Sequence, residues 1–171
     1  MLSIIKATSG DYLILSEIGS KSFIESHGHS ASTENINQYV EAKYSPDACK
    51  AELRNPKNIY HFIFFEQQPA GYSKLLLNEG HPNIKTNDVA KLERIYLLQE
   101  FYDKKIGLEL LNFNIELSRN NNQSGLWLFV WTDNFRAVNF YKRAGFKIIG
   151  SHGFMLTPNH SNPNYQMFLE Y

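Results

Sequence analysis

Between residues 91 and 156 the hydrophobic pattern changes repeatedly between strand-like runs and helix-like periodicity. The runs at 91–98, 126–131 and 146–156 are rich in β-branched and aromatic residues, which is typical of strands. The segments 106–117 and 137–144 carry apolar residues at helical spacing. Strands that alternate with helices of this length pack as one sheet with helices against its faces.

The N-terminal half adds elements to the same sheet. The sequence predicts a strand over residues 2–6, helices around 13–23, 33–40 and from Pro46, and a hairpin whose strands are 59–65 and 72–77, with "EQQPAG" as its turn. A last strand is predicted over 165–171, after a Pro- and Asn-rich loop. The expected fold class is therefore mixed α/β, a central sheet flanked by helices in a single domain over residues 1–171.

Bulk composition excludes several classes of function. Lys plus Arg equal Asp plus Glu at 17 each, and the pI of about 7.0 gives no overall sign of nucleic-acid binding or of attraction to a membrane surface. No apolar run is long enough to span a bilayer. Cys49 is the single cysteine, so neither a disulfide nor a zinc cluster is expected, and a reducing, cytoplasmic location is predicted.

The stretch "YDKKIGLELL", residues 102–111, places polar residues directly before an apolar helical run. A helix N-terminus exposes unpaired N–H groups and a partial positive charge, and a turn leading into it is a frequent phosphate site. Lys104 and Lys105 would add positive charge. The alternative is that Asp103 caps the helix, that the lysines are solvated, and that Gly107 only permits close packing.

The stretch "WTDNFRAVNFYKRAGF", residues 131–146, leads from a strand into a short helix. Asn134 lies where the helix begins and Tyr141 lies seven residues later, about two turns along the same face. Taken alone, this pattern indicates an N-cap at Asn134 and a half-buried aromatic at Tyr141.

Together with "LERIYLL", these stretches resemble the GCN5-related N-acetyltransferase (GNAT) superfamily, and within it the PaiA-type spermidine/spermine N-acetyltransferases. The resemblance implies a mixed, mostly antiparallel sheet that splays between its fourth and fifth strands, with acetyl-CoA in the gap. It also implies direct transfer of the acetyl group to a primary amine. It is compatible with a homodimer.

The resemblance also assigns cofactor-binding residues. The family's phosphate loop, Arg/Gln-x-x-Gly-x-Gly/Ala, matches Tyr102, Asp103, Lys104, Lys105, Ile106 and Gly107. Gly107 is kept, whereas Lys105 replaces the first glycine and Tyr102 the usual Arg or Gln. A Cβ at position 105 would crowd a phosphate, although the backbone N–H groups remain. Further cofactor contacts are implied at Ile95, Tyr96, Leu97, Asn134 and Lys142.

Two residues are implied as catalytic. Tyr141 is placed near the CoA sulfur as a general acid, because a phenol is protonated at pH 7. Glu93 is the candidate general base, and strict alternation would put it on the same face as Ile95. The alternative for Glu93 is an ion pair with Lys91 or Arg94.

The expected substrate is a polyamine such as spermidine. Residues 8–42 hold one cation, Lys21, against five carboxylates, Asp11, Glu17, Glu25, Glu34 and Glu41. Glu25 and Glu34 are the substrate-side candidates, although ordinary solvated helix faces would show the same bias. The alternatives are a peptide or another small amine as acceptor, or a weakly active CoA-binding regulatory module.

Two other features carry no predicted chemistry. His27 and His29 have no acidic third partner in sequence, so no metal is expected and they are assigned to a substrate-side loop. Cys49 is not expected to act as a nucleophile, because the implied transfer is direct.

Overall fold

Seven strands form one continuous sheet in a computed structural model that describes all 171 residues. The elements in chain order are β1 (Leu2–Lys6), α1 (Tyr12–His27), α2 (Thr33–Tyr44), α3 (Pro46–Arg54), β2 (Ile59–Phe65), β3 (Gln68–Leu76), β4 (Ala90–Leu97), α4 (Ile106–Asn120), β5 (Gly125–Trp131), α5 (Phe135–Arg143), β6 (Lys147–Thr157) and β7 (His160–Glu170). Two short 3₁₀ turns, Ser9–Asp11 and Gln99–Phe101, precede α1 and follow β4. None of the helices combines the length and apolar character that crossing a membrane would require.

The strand order is β1-β2-β3-β4-β5-β7-β6, and every neighbouring pair is antiparallel except β4 and β5. The parallel pair is short. Only Ala90 with Leu126 and Lys91 with Trp127 are in register, so the rest of β4 has no strand on that side. The predicted mixed sheet, splayed between its fourth and fifth strands, is confirmed.

Helices cover both faces of the sheet. The Tyr44 hydroxyl of α2 hydrogen-bonds that of Tyr72 on β3 at 2.9 Å. On the next residue, the Ser73 hydroxyl accepts a hydrogen bond from the Asn114 side chain of α4 at 3.0 Å. Successive side chains of a strand point to opposite faces. Helices α1 and α2 therefore pack on one face and α4 on the other.

Two boundaries differ from the sequence prediction. The hairpin turn is confined to Glu66 and Gln67, whose φ values of 49° and 68° close a two-residue loop, so β3 already begins at Gln68. The expected Pro- and Asn-rich loop is also shorter, because His160 already pairs with Thr157 and β7 starts there. Pro163 is tolerated in β7 because β5 ends opposite Asn164, one residue before a ladder donor would be needed.

Candidate active site

A cleft of about 1120 Å³ opens where β4 and β5 diverge. Its walls come from β4, β5, the start of α4 and one side of α5, and it continues between α1, α2 and the β6–β7 hairpin. Single small-molecule sites usually measure about 300–1,000 Å³. The cleft is therefore at least as large as the usual site for one small molecule.

The N-terminus of α4 borders this cleft without a capping side chain. Lys105 is the N-cap residue and makes no side-chain cap hydrogen bond. The backbone N–H groups of residues 104–107 donate no hydrogen bond within the chain. Asp103 is not the cap, because its carboxylate instead accepts a hydrogen bond from Arg136 at 3.0 Å. Four N–H groups at the positive end of a 15-residue helix are thus available to an anion.

The residue that replaces the family glycine has the backbone conformation that favours glycine. Lys105 has φ 61° and ψ 4°, in the left-handed region, and it lines the cleft. The ammonium of Lys104 lies over the rings of Phe65 and Phe101, about 5.0 and 5.3 Å from their centroids. Lys105 therefore belongs to the cleft wall and Lys104 does not.

Gly107 permits close contact between α4 and β4. A Cβ built there would lie 3.2 Å from Leu97 Cδ1, which is tighter than ordinary van der Waals contact. The helix N-terminus is thereby held against the splayed strand.

The free edge of β4 contributes backbone donors. The N–H of Leu98 donates to the Ala70 carbonyl of β3 at 2.9 Å. Because N–H groups alternate in direction along a strand, those of Ile95 and Leu97 point toward the splay, and that of Tyr96 points toward β3. Of the three β4 residues implied as cofactor contacts, Ile95 and Leu97 offer their N–H groups to the gap, whereas Tyr96 lines the cleft without doing so.

Helix α5 borders the cleft through residues of its first and last turns. The Asn134 side-chain oxygen accepts a hydrogen bond from Ala137 N at 3.1 Å, so Asn134 is the N-cap and its amide NH₂ remains free. Lys142 is exposed and does not line the cleft, whereas Arg136 and Arg143 do. Sequence reasoning did not single out these two arginines, although both lie in the helix it identified.

Tyr141 presents a protonated hydroxyl to the cleft. Its ring is buried against Phe140 and Phe146, with centroids 5.2 and 5.6 Å away. The hydroxyl makes no hydrogen bond within the chain, and the residue lines the cleft. Burial raises the pKa of Tyr141 above its ordinary value. The phenol therefore holds its proton at neutral pH and can donate it.

Glu93 does not share a face with Ile95, because a β-bulge interrupts the alternation. Lys74 pairs with Arg94 and the next residue of β3 pairs with Leu92, which leaves Glu93 without a partner on β3. The Glu93 carboxylate contacts the Lys74 ammonium and lies 3.5 Å from that of Lys91. The Glu93 side chain therefore lies on the sheet face covered by α1 to α3.

The same contacts set the ionisation of Glu93. Burial opposes its charge, but the Lys74 hydrogen bond and the nearby cations outweigh burial and hold the pKa of Glu93 below its ordinary value. Glu93 is thus a carboxylate throughout the neutral range. Of the two ion-pair partners considered in the sequence, Lys91 contacts Glu93, whereas Arg94 forms no ion pair with it.

The two predicted substrate carboxylates do not line the cleft. Glu25 accepts a hydrogen bond from the backbone N–H of Gln99 at 2.7 Å, and Glu34 is exposed on the first turn of α2. The carboxylates that do line it are Glu52, Glu93 and Asp103. They face seven cations, namely Lys43, Lys74, Lys91, Arg94, Lys105, Arg136 and Arg143.

The histidines and the cysteine have structural surroundings. His27 stacks on Phe23 with centroids 4.8 Å apart and lines the cleft, and burial lowers the pKa of His27 to about 4, so it is neutral. His29 lies against Trp131. No group of three His, Cys, Asp or Glu side chains is placed to hold a metal ion. Cys49 is buried, and burial raises the pKa of its thiol to about 11.

A splayed sheet, an uncapped helix N-terminus beside the splay and a phenol in the same cleft together define an acyltransferase of the GNAT type. A model of the acetyltransferase (GNAT) family matches residues 15–146, and the chain belongs to this family. The resemblance seen in the sequence is thus confirmed.

Relatives and solved structures agree with this assignment. An uncharacterized N-acetyltransferase in the pepI 3′ region of Lactobacillus delbrueckii subsp. lactis is 28% identical over 155 residues, which cover 91% of this chain and 90% of the relative. The PaiA N-acetyltransferase of Thermoplasma acidophilum, solved with coenzyme A, superposes with a TM-score of 0.80 at 23% identity, over 100% of this chain and 99% of that one. The ribosomal-protein-S18-alanine N-acetyltransferase of Escherichia coli gives a TM-score of 0.71 at 15% identity, over 99% and 94%.

Proposed function

We propose that this chain transfers an acetyl group directly from acetyl-CoA to a primary amine within a ternary complex. The observation that carries the proposal is that one cleft holds both the free N–H groups of Lys105, Ile106 and Gly107 at the start of α4 and the unpaired hydroxyl of Tyr141. The first fits a phosphate, and the second fits a leaving group that needs a proton.

The residues at the splay fit coenzyme A. Backbone N–H groups of residues 104–107 would hold the pyrophosphate, with Lys105, Arg136 and Arg143 supplying positive charge around it. The free amide NH₂ of Asn134 would bind farther along the gap. Acetyl-CoA, when bound, supplies the acetyl thioester that the reaction consumes.

The chain's own groups then supply the proton transfers. The N–H groups of Ile95 and Leu97 point into the gap, where they would donate to the acetyl carbonyl oxygen and stabilise the negative charge that develops on it. Tyr141 would give its phenolic proton to the sulfur as the thiolate leaves. Glu93, on the opposite wall, would accept a proton from the acceptor amine.

Glu93→Gln is expected to lower kcat/KM for the acceptor by about 10²-fold, the lower end for general-base catalysis, because a carboxylate with a lowered pKa is a weak base. The pH profile of the natural enzyme should show no inflection from Glu93 between pH 5.5 and 8. The lowered pKa of Glu93 keeps the carboxylate ionised across that window, so its protonation state does not change there.

Glu52→Gln is the matched control for Glu93. Both carboxylates bind the Lys74 ammonium, at 2.7 Å for Glu52. If Glu93 is the base, its substitution costs much more activity than that of Glu52. Equal losses in the two variants would show that Glu93 acts only by neutralising Lys74.

The polyamine prediction concerns the acceptor and is separate from the chemistry. Glu25 and Glu34, which carried it, lie outside the cleft lining, and cations outnumber carboxylates in that lining. A groove of this charge gives a polyamine little electrostatic attraction. Spermidine is therefore tested as one amine among several.

Initial-rate kinetics test the function. With thiol release as the readout, double-reciprocal plots against acetyl-CoA and amine are expected to intersect, as direct transfer requires, whereas an acetyl-enzyme would give parallel lines. Calorimetric binding of acetyl-CoA without amine-dependent thiol release, for any amine tried, would favour the regulatory-module alternative and refute the proposal.

A further inference from the structure

Arg94 is a partly buried cation of the cleft wall that makes no ion pair. Its guanidinium lies over the Tyr44 ring, 5.1 Å from the centroid, and its Nη1 donates to the Tyr60 hydroxyl at 3.2 Å. A guanidinium has five N–H donors, and only this one is used within the chain. Charges removed from water are ordinarily paired.

The carboxylates near Arg94 are already neutralised by other cations. Glu52 binds Lys74 at 2.7 Å and accepts a second hydrogen bond from the Tyr60 hydroxyl at 2.6 Å. Glu93 binds Lys74 and Lys91. Two carboxylates thus face three cations, Lys74, Lys91 and Arg94, and Arg94 is the one that makes no direct ion pair. The cluster therefore keeps one positive charge in excess.

Two further hydrogen-bond donors line the same cleft. Tyr96 is two residues along β4 from Arg94 and therefore on the same face, and Tyr39 of α2 is also a lining residue. Neither hydroxyl makes a hydrogen bond within the chain. Burial raises the pKa of both phenols, and the nearby Arg94 charge opposes that rise, so both are protonated donors at neutral pH.

We propose that the acceptor amine carries an anionic group of its own, a carboxylate or a phosphate, and that Arg94 binds this group. The guanidinium fork matches both anions, and the Tyr39 and Tyr96 hydroxyls supply further hydrogen bonds. The proposal rests on the acetyl transfer proposed above and names the acceptor class. It makes a purely cationic polyamine a poor acceptor.

The rest of this wall indicates an apolar body for the acceptor. Phe154 packs against Tyr39, and Trp131 packs against His27, which in turn lies edge-on to Tyr96. Side chains of this kind favour an aromatic or aliphatic group between the amine and the anion, or beside them.

Matched amines test the proposal on the natural enzyme. Phenylalanine is compared with 2-phenylethylamine, O-phosphoethanolamine with ethanolamine, and spermidine is included as the cationic case. We expect kcat/KM to be at least about 10-fold higher for the anionic member of a pair, because charge-assisted hydrogen bonds are strong. The pair that shows the preference distinguishes carboxylate from phosphate. A preference for the members that lack the anionic group, or for spermidine, would overturn the proposal.

Arg94→Gln assigns the preference to this side chain. It is expected to lower kcat/KM for the member with the anionic group by about 10- to 100-fold, mainly through KM, and to change kcat/KM for the member without it by less than about threefold. Arg119→Gln, at the exposed end of α4, is the control. Equal losses for both members of a pair would mean that Arg94 only supports the fold, which overturns the proposal.

Two further measurements keep the outcome decisive. If Arg94→Gln does not fold, Arg94→Lys retains the charge but loses the bidentate fork, and it should reduce the preference for the anionic member. If no amine is turned over, calorimetry tests whether phenylalanine or O-phosphoethanolamine binds the protein–CoA complex, and no binding overturns the proposal. Acetyl-CoA affinity, measured separately, reports on the proposed function alone.

Discussion

Replacing Tyr141 by phenylalanine is expected to lower kcat by roughly 10²- to 10⁴-fold, the range of general-acid catalysis. The change removes one hydroxyl and keeps the ring, which packs against Phe140 and Phe146. The hydroxyl has no hydrogen-bond partner within the chain, so its loss leaves no buried group unsatisfied. Folding stability and acetyl-CoA affinity should therefore change little while turnover falls. Steady-state kinetics and calorimetry on the same preparation measure both effects.

Tyr165→Phe is the matched control, because Tyr165 is a partly buried tyrosine of β7 outside the cleft lining. It should retain near-natural turnover. If Tyr141→Phe loses affinity in proportion to rate, Tyr141 is a binding or packing residue. If it keeps full activity, the thiolate leaves without help from the phenol, and Tyr141 has no role as an acid.

Local pattern predicted most elements because their periodicities are strong. Ile59–Phe65 and Leu2–Lys6 form strands with the expected bounds, since each is a short apolar run ended by turn residues or polar residues. The splay between β4 and β5 was predicted only through the resemblance. Nothing in the sequence of β4 or β5 indicates that their pairing stops after Lys91. The end of the pairing depends on the packing of residues from other elements.

The bulge at Glu93 shows where the alternation argument fails. One extra residue in β4 moves Glu93 to the face of Arg94 and Lys74, and no Gly or Pro marks the position. The left-handed backbone at Lys105 is a second feature that the sequence did not predict. Lysine disfavours this conformation, and the only signal for it is that the family pattern has glycine at this position.

The sequence could not show which carboxylates line the cleft, because ion pairs and hydrogen bonds join residues far apart in sequence. Glu25 binds the backbone of Gln99, and Glu52 of α3 binds Lys74 of β3. A count of charges along residues 8–42 cannot register such partners. Arg94 did carry a usable signal, since it is a cation within the apolar strand run "LERIYLL".

Lys105→Glu is expected to weaken acetyl-CoA binding by about 10- to 100-fold. The substitution replaces a cation by a carboxylate beside the free N–H groups of residues 104–107, where it repels phosphate and competes for the same donors. An acidic residue at a helix N-terminus stabilises the helix, so the melting temperature should stay the same or rise. Weaker acetyl-CoA binding together with an unchanged or higher melting temperature excludes unfolding as the cause of the loss. Calorimetry and thermal melting measure the two effects.

Lys104→Glu is the comparator, because the Lys104 ammonium lies over Phe65 and Phe101 and not in the cleft. It should weaken binding by at most about threefold. Lys105→Gly separates charge from shape, since glycine relieves the left-handed backbone and is expected to raise stability while changing affinity far less than glutamate does. If Lys105→Glu and Lys104→Glu weaken acetyl-CoA binding equally, the loss is a general electrostatic effect and gives no support for a phosphate site at the start of α4. If neither weakens it, the phosphates do not bind at this helix N-terminus.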